Sequence, residues 1–271
     1  MKDKKKSSSN NSANKGIAAQ KLREFFLNVG GLIEFSVRFF ANCLIPPYEF
    51  GQIKKHMDEL GVKTLPIVSV TGIIIGLVLT LQSQPILARF GAEGFLPFMV
   101  SISVVRELGP VITALIFAGR VSSGIGAELG SMRVTEQIDA MEVSAIDPFK
   151  YLVVTRVIAT SLILPLLTMY VNLLAVIGCY IAILLVNDMT IQLYINQVVD
   201  AIKFGDLIPG TAKTIVFGFI VGIVGSYKGF TADKGTEGVG KASTTSVVIA
   251  SLLILIFDMI LVKISFWIWP I

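Results

Sequence analysis

Residue types that build disulfide frameworks, metal centres and acid–base catalysts are scarce in this sequence. Cysteine occurs twice, at Cys43 and Cys179, and histidine once, at His56, where we expect a surface position. These few residues provide neither a disulfide framework nor a zinc site, so no metal site is predicted. Charged residues make up only 15% of the chain, whereas soluble domains average about 25%. This shortage argues against a soluble protein, and the net charge of +4 does not indicate nucleic-acid binding.

The chain is instead rich in long apolar runs. Hydrophobic residues make up 54% of the 271 residues, and the mean hydropathy is +0.76. A helix of about 20 apolar residues crosses the hydrocarbon core of a bilayer. Five runs reach that length, at roughly 64–88, 94–119, 157–187, 207–227 and 245–268. The sequence therefore predicts five transmembrane helices within residues 64–271.

The segments before the first run have a different character. Residues 1–18 are basic and rich in serine and asparagine, which predicts a disordered tail. Residues 19–63 carry apolar side chains at helical spacing among charged ones, as in helices that lie in the membrane interface. We expect a break in the first of these helices at Gly30-Gly31. The predicted fold is an all-α polytopic membrane protein with an N-terminal interfacial helix and five transmembrane helices.

Lysine and arginine are distributed unequally between the two sides of the predicted membrane domain. Eleven precede the first span, and more lie in the loops 120–156 and 226–241, whereas the opposite loops offer only Arg89 and Lys203. Positively charged loops remain on the cytoplasmic side of a membrane. We therefore expect a cytoplasmic N-terminus and, after five spans, a C-terminus on the outer side.

A charged segment, GSMRVTEQIDAMEVSAIDP at 130–148, separates the second and third runs. Its apolar residues fall on one helical stripe, which comprises Val134, Ile138, Met141 and Ala145. Ser131 or Thr135 is expected to cap the helix, and its acidic polar face argues against docking on anionic lipid. The pattern predicts a coupling helix that enters a groove on a separate motor subunit. The residues expected to form it are Arg133, Glu136, Ile138, Asp139, Met141 and Glu142.

Two stretches resemble a known family. RELGPVITALIFAGRVSSGIGAELGSMRVTEQIDAMEVSAIDP (106–148) is similar to the signature of the MlaE-type permeases, also called the YrbE family, and KGTEGVGKASTTSVV (234–248) resembles their second recurring stretch. The resemblance implies a homodimeric permease of an ABC transporter in the inner membrane of a double-membraned bacterium. It further implies phospholipids or related lipids as substrate, a separate ABC ATPase, and a periplasmic MCE-domain protein as partners.

Leaving aside Lys263, which lies close enough to the outer end of its span to snorkel, four charged residues lie inside the predicted spans, where each costs about 2.5–3.5 kcal/mol on insertion scales. They are Arg106, Glu107, Lys213 and Asp258, and their charges sum to zero. One hypothesis is a structural ion-pair network between spans, and the other is a polar cavity that admits a lipid headgroup. A network that gates such a cavity satisfies both. Gly109-Pro110, directly after the first pair, is expected to bend the second span.

The sequence GTEGVGKA (235–242) nearly matches a phosphate-binding loop. Ala242 stands where the loop needs a Mg²⁺-binding hydroxyl, and a span precedes the segment where a strand is required. We expect a flexible loop here, with a helix beginning at Ser243 or Thr244. The chain is therefore expected to carry no cofactor of its own, with ATP and Mg²⁺ bound by the partner ATPase.

Two other classes of protein remain as alternatives. An intramembrane lipid enzyme would need a nucleophile and base, or paired carboxylates, at one depth. A proton-coupled secondary transporter often shows inverted repeats and broken helices. Co-purification with an ATPase would separate the ABC permease from both.

Overall fold

The computed structural model describes residues 26–46, 49–186 and 189–268, and within them the chain is helical with no strand. In chain order the helices are α1 (26–43), α2 (Phe50–Val62), α3 (Leu65–Arg89), α4 (Leu96–Ser103), α5 (Gly109–Phe117), α6 (Ser123–Val134), α7 (Gln137–Val143), α8 (Thr155–Val186), α9 (Ile191–Ala201), α10 (Phe204–Phe230) and α11 (Thr236–Ile268). The all-α prediction is confirmed. The predicted tail over 1–18 lies outside the described residues.

The chain divides into two compact units, Met1–Pro46 and Pro47–Ile271. The described part of the first unit is α1, which continues through Gly30 and Gly31, so the predicted break is wrong. Two glycines lower helix propensity by about 1 kcal/mol each but do not interrupt the hydrogen-bond ladder. Its exposed apolar side chains include Phe26, Ile33 and Phe40. Its position in the membrane interface stays a prediction.

Five helical segments of the second unit are long and apolar enough to cross a membrane, as predicted. They are Leu65–Arg89, Glu93–Val134, Phe149–Leu185, Phe204–Phe230 and Thr236–Ser265. The second is much longer than the expected 94–119, with 42 residues. At 1.5 Å per residue it measures about 63 Å, roughly twice the thickness of the hydrocarbon core. It therefore continues beyond the bilayer into the charged segment that begins at residue 130.

Wider turns keep this long helix continuous. α4 passes into a π-helical turn over Val104–Leu108, then into α5, a second π-helical turn over Ala118–Ser122, and α6. Each wide turn lets the chain remain helical where ordinary spacing of hydrogen bonds is lost. As a result, one continuous helical segment runs from the middle of the membrane domain to the residues just before α7.

Close approach of the spans depends on small residues. A Cβ at Gly76 of α3 would overlap the carbonyl oxygen of Ala175 on α8, and one at Gly218 of α10 would overlap that of Thr160 on α8. Small residues let helix backbones approach closely in lipid, where packing replaces the hydrophobic effect. Among the five spans α10 is the most enclosed, because 56% of the residues in its apolar stretch are buried, whereas the figure for α11 is 11%. α10 therefore forms the centre of the second unit.

Two helix starts differ from expectation. α10 begins at Phe204, which places Asp206 in its first turn, whereas the span was predicted from 207. α11 begins at Thr236, not at Ser243 or Thr244, so the near-match to a phosphate loop forms the first turns of a helix. The turn before it is made by Gly235, whose φ of +93° is readily adopted only by glycine.

Candidate functional site

A cavity of about 440 Å³ lies between α4, α10 and α11, near the start of α10. Five charged side chains line it: Arg106, Glu107, Lys203, Asp206 and Lys213. Its apolar wall includes Phe98, Ile102, Leu261 and Val262. Apolar walls with a few convergent polar groups are typical of ligand sites. This combination suits a molecule that has both a charged and an apolar part.

Arg106 and Glu107 both lie in the π-helical turn over Val104–Leu108. The turn is widened because the N–H of Gly109 donates to the carbonyl of Val104, five residues earlier. Pro110 follows and has no N–H to donate, which removes one bond of the ordinary ladder. Neighbouring residues on a helix point in different directions, so the two side chains reach different partners.

Lys213 is the centre of the first charged group. Its Nζ lies 2.7 Å from Oε2 of Glu107 and 2.9 Å from Oδ1 of Asp258. The side chain of Lys213 is only 6% exposed, that of Asp258 18% and that of Glu107 44%. One buried ammonium thus joins carboxylates from the second and fifth spans through the fourth. Removing the cation would leave two carboxylates close together in a low dielectric.

Arg106 is not part of that group, although the sequence suggested one set of four charges. Its Nε donates to Oδ1 of Asp206 over 2.7 Å, and its Nη2 contacts the same oxygen. Asp206 is the residue that sequence reasoning missed, because the predicted span began one residue after it. The charges of the two groups therefore sum to −1, and the exposed Lys203 at the cavity adds one positive charge.

A single glycine allows the two helices that carry these charges to approach. A Cβ at Gly210 of α10 would lie 2.5 Å from the carbonyl oxygen of Val105, in the wide turn. Real Cβ atoms do not approach backbone oxygens that closely. Gly210 lies between Asp206 and Lys213 on α10. Its contact with Val105 therefore sets the distance between α10 and the wide turn at both ion-pair groups.

The predicted coupling helix is shorter than expected. α7 spans Gln137–Val143 and is set off from α6 by Glu136, whose φ of 58° is left-handed, and Ala145 has a φ of 59°. The predicted caps are wrong, because the hydroxyl of Thr135 donates to the carbonyl of Ser131 within α6. Left-handed residues before and after α7 make it a separate short helix of about two turns.

The exposed face of this segment also differs from the predicted stripe. Ile138 is fully buried in the protein's own core, so it anchors α7 and presents nothing to a partner. Glu136, Asp139 and Glu142 are exposed, and Met141 is half-buried. Arg133 belongs to α6 and pairs with Asp139 across 2.5 Å. Val143, which the stripe did not include, is 90% exposed.

Comparison with known proteins decides among the remaining classes. Residues 53–264 match the family described as Permease MlaE. The chain belongs to the MlaE permease family. The resemblance predicted from 106–148 and 234–248 is therefore confirmed, and the chain is a non-enzymatic transporter subunit. The alternative of an intramembrane lipid enzyme is not retained.

Several relatives of this MlaE-family chain are similar over most of its length. A probable ABC transporter permease protein of Rickettsia prowazekii is 38% identical over 243 residues, which cover 90% of this chain and 94% of the relative. The intermembrane phospholipid transport system permease protein MlaE of Haemophilus influenzae is 34% identical over 218 residues, or 80% and 84% of the two chains. The chloroplastic protein TRIGALACTOSYLDIACYLGLYCEROL 1 of Arabidopsis thaliana is 33% identical over 211 residues, or 76% and 59%.

Proposed function

We propose that this chain is the permease of an ABC transporter that moves phospholipids between the inner and outer membranes of a double-membraned bacterium. The observation that carries the proposal is the cavity of about 440 Å³, which brings five charged side chains to an apolar wall inside a membrane domain. A phospholipid has a charged headgroup and apolar tails. Arg106 and Lys203 are suited to the headgroup phosphate, and Phe98, Ile102 and Leu261 to the tails.

The ion pairs in this cavity are proposed to govern entry of the headgroup. Arg106 is 27% exposed beside Asp206, so its guanidinium has donors left for an incoming phosphate. A phosphate that displaced the Asp206 carboxylate from Arg106 would release the first turn of α10 from the wide turn. Lys213, in contrast, is enclosed by Glu107 and Asp258 and is suited to holding the fourth and fifth spans together.

A homodimer is part of the proposal. The carboxylate of Glu107 remains 44% exposed within a span, and contact of that group with lipid tails would be costly. The sparsely buried α11 also leaves a long apolar face uncovered. A second copy facing the cavity would cover Glu107 and enlarge the space for a lipid, and ABC transporters operate with two permease halves.

The exposed side of α7 is proposed to dock a separate ATPase that binds ATP and Mg²⁺. Val143 would enter an apolar groove, and Asp139 and Glu142 would face basic residues at its rim. The continuous helical segment that carries Arg106 ends in α6, and Arg133 of α6 pairs with Asp139 of α7, so movement of α7 would reach the cavity through that contact and the long helix. The distribution of Lys and Arg supports a cytoplasmic location for α7 and an inner-membrane protein with its C-terminus on the periplasmic side.

On the outer side we propose contact with an MCE-domain lipid-binding protein. α9 connects the third and fourth spans close to the cavity, and its exposed apolar side chains include Leu193, Ile195 and Val199. A partner seated there would receive lipid as it leaves the cavity.

The test is ATP-dependent transfer of labelled phospholipid by the purified complex in liposomes. The wild-type complex should contain an ATPase and transfer lipid with ATP but not with a non-hydrolysable analogue. Val143→Asp should lose most of the ATPase on purification, whereas Val248→Asn, on the exposed face of α11, should retain it. Transfer driven by a proton gradient without ATP would instead favour a secondary transporter.

A further inference from the structure

A second cavity, of about 230 Å³, lies at the α7 end of the second unit, and the proposed transport pathway does not use it. It is formed where α2 meets the wide turn over Ala118–Ser122, α6 and the start of α8. Six ionisable side chains line it: His56, Glu59, Lys63, Arg120, Glu128 and Arg156. His56, which the sequence placed at the surface, is half-buried there.

Arg156 forms the floor of this cavity and is already neutralised. Its side chain is only 4% exposed. One guanidinium nitrogen donates to the carbonyl of Leu152 over 2.9 Å, and another to Oε1 of Glu128 over 2.7 Å. Separating this pair would leave the buried guanidinium without a compensating charge, so Arg156 is held against Glu128. Arg156 therefore fixes the geometry of the cavity.

Arg120 is different, because its hydrogen-bond partner is a neutral hydroxyl. Its Nη1 donates to the hydroxyl of Thr64 over 2.7 Å, and Thr64 is fully buried and passes its own hydrogen to the carbonyl of Leu60. Among the described residues, no carboxylate lies within ion-pair distance of Arg120. The guanidinium is thus held in place with most of its five donors available.

The remaining groups leave the cavity positively charged. Lys63, Arg120 and Arg156 contribute three positive charges, against two from Glu59 and Glu128. Burial, and next the nearby Arg156, lower the pKa of His56 to about 4, so the imidazole is neutral at pH 7 and can donate a hydrogen bond. A partly buried cavity with excess positive charge and an uncompensated guanidinium is favourable for an anion.

We infer that this cavity binds a phosphate group, with Arg120 as the main ligand and Lys63 as the second cation. Planar guanidinium groups match phosphate oxygens in pairs, and the bound anion would offset the cost of leaving Arg120 without a counter-ion. The group could belong to a phospholipid headgroup or to free inorganic phosphate, since both present the same oxygens. The site is distinct from the charged cavity at the start of α10, and it stands whether or not lipid passes through that cavity.

Two binding measurements on the purified full-length chain, with its co-purifying subunits, separate the sources. Native mass spectrometry in detergent containing phosphatidylglycerol counts retained lipid, and equilibrium dialysis with radiolabelled inorganic phosphate measures free anion. Arg120→Gln should reduce binding at least tenfold in one of the two. Arg120→Lys should lose less, because it keeps the charge but not the paired geometry. Lys54→Gln, an exposed cation of α2 outside the cavity, should bind like the wild type.

Loss of retained lipid alone assigns the site to a headgroup, and loss of phosphate binding alone assigns it to the free anion. If Arg120→Gln does not assemble, Lys63→Gln carries the test, because Lys63 is exposed at the cavity edge. Lys63→Gln is expected to reduce binding of the lipid or of the phosphate severalfold. Equal binding by wild type and by these cavity variants in both measurements, or no binding by the wild type, overturns the inference.

Discussion

Lys213 on α10 lies 2.9 Å from Asp258 on α11, and both side chains are largely enclosed within the membrane domain. The same ammonium also binds Glu107, 2.7 Å away. Three spans therefore depend on one cation. In a low dielectric, the loss of one partner costs far more than the pair contributes when intact, because the remaining charge is left without compensation.

Lys213→Met should be the most damaging single change in this group. It leaves Glu107 and Asp258 without their cation, and breaking a buried pair typically costs about 3–5 kcal/mol. Asp258→Asn should be milder, because Lys213 keeps Glu107. Adding Asp258→Asn to Lys213→Met should restore part of the complex yield and lipid transfer. Strictly additive losses in the double variant would mean that the two residues act independently.

Gly210→Ala should impair lipid transfer although it changes no charge. The added Cβ would lie 2.5 Å from the carbonyl of Val105, so α10 must move away from the turn that carries Arg106 and Glu107. Gly240→Ala is the matched control, because no atom lies within 4 Å of its Cβ position in α11. We expect the control to transfer lipid normally. Its free energy of unfolding should rise by up to about 1 kcal/mol, because alanine favours the helix more than glycine does, and its melting temperature should rise slightly. Equal activity of both variants would contradict the role of Gly210.

The lowered pKa of His56 predicts how the stability of the folded protein changes with pH. Its pKa is about 4 in the folded protein, lowered by burial, and about 6.5 when unfolded. As the pH falls below 6.5 the unfolded chain gains a proton that the folded chain does not, so stability falls until the pH approaches 4. Thermal melting of the complex in phosphate-free buffer should therefore decline more between pH 7 and pH 5 for the wild type than for His56→Gln. Parallel declines would show that His56 is not the responsible group.

Topology can be tested by labelling single cysteines in cells whose outer membrane has been made permeable while the inner membrane stays intact. After replacement of Cys43 and Cys179, a membrane-impermeant maleimide should react with Leu193→Cys on α9 and not with Lys234→Cys before α11. Both positions are exposed, so the difference reports the side of the membrane. The reverse pattern would invert the proposed orientation.

The general plan of the molecule follows from the sequence because burial in lipid leaves few choices. Long uncharged runs must form helices that satisfy their own backbone hydrogen bonds, so five spans could be predicted. A hydropathy pattern defines helix ends only to within a few residues, so a span predicted from residue 207 leaves Asp206 outside α10, which begins at Phe204. Its pairing with Arg106 depends on how α10 and the wide turn pack, which a single sequence does not reveal.

The same limit explains the coupling segment. A periodic pattern shows that Ile138 and Met141 share a face, but not whether that face meets the protein's own core or a partner. The left-handed backbone at Glu136 separates α7 from α6 and turns Ile138 inward, which leaves Val143 exposed. Neither glycine nor proline marks this turn in the sequence, so the pattern gave no warning of it.

The most direct test of the central claim is photo-crosslinking of lipid inside the cavity. A photoreactive amino acid replaces Ile102, which lines the cavity, or Val248, which is exposed on α11 outside it. The reconstituted complex, carrying radiolabelled phospholipid, is irradiated with ATP or with a non-hydrolysable analogue. We predict a lipid adduct at position 102 whose yield changes with ATP hydrolysis, and an adduct at 248 that does not change. No adduct at 102, or the same response at both positions, would contradict passage of lipid through this cavity.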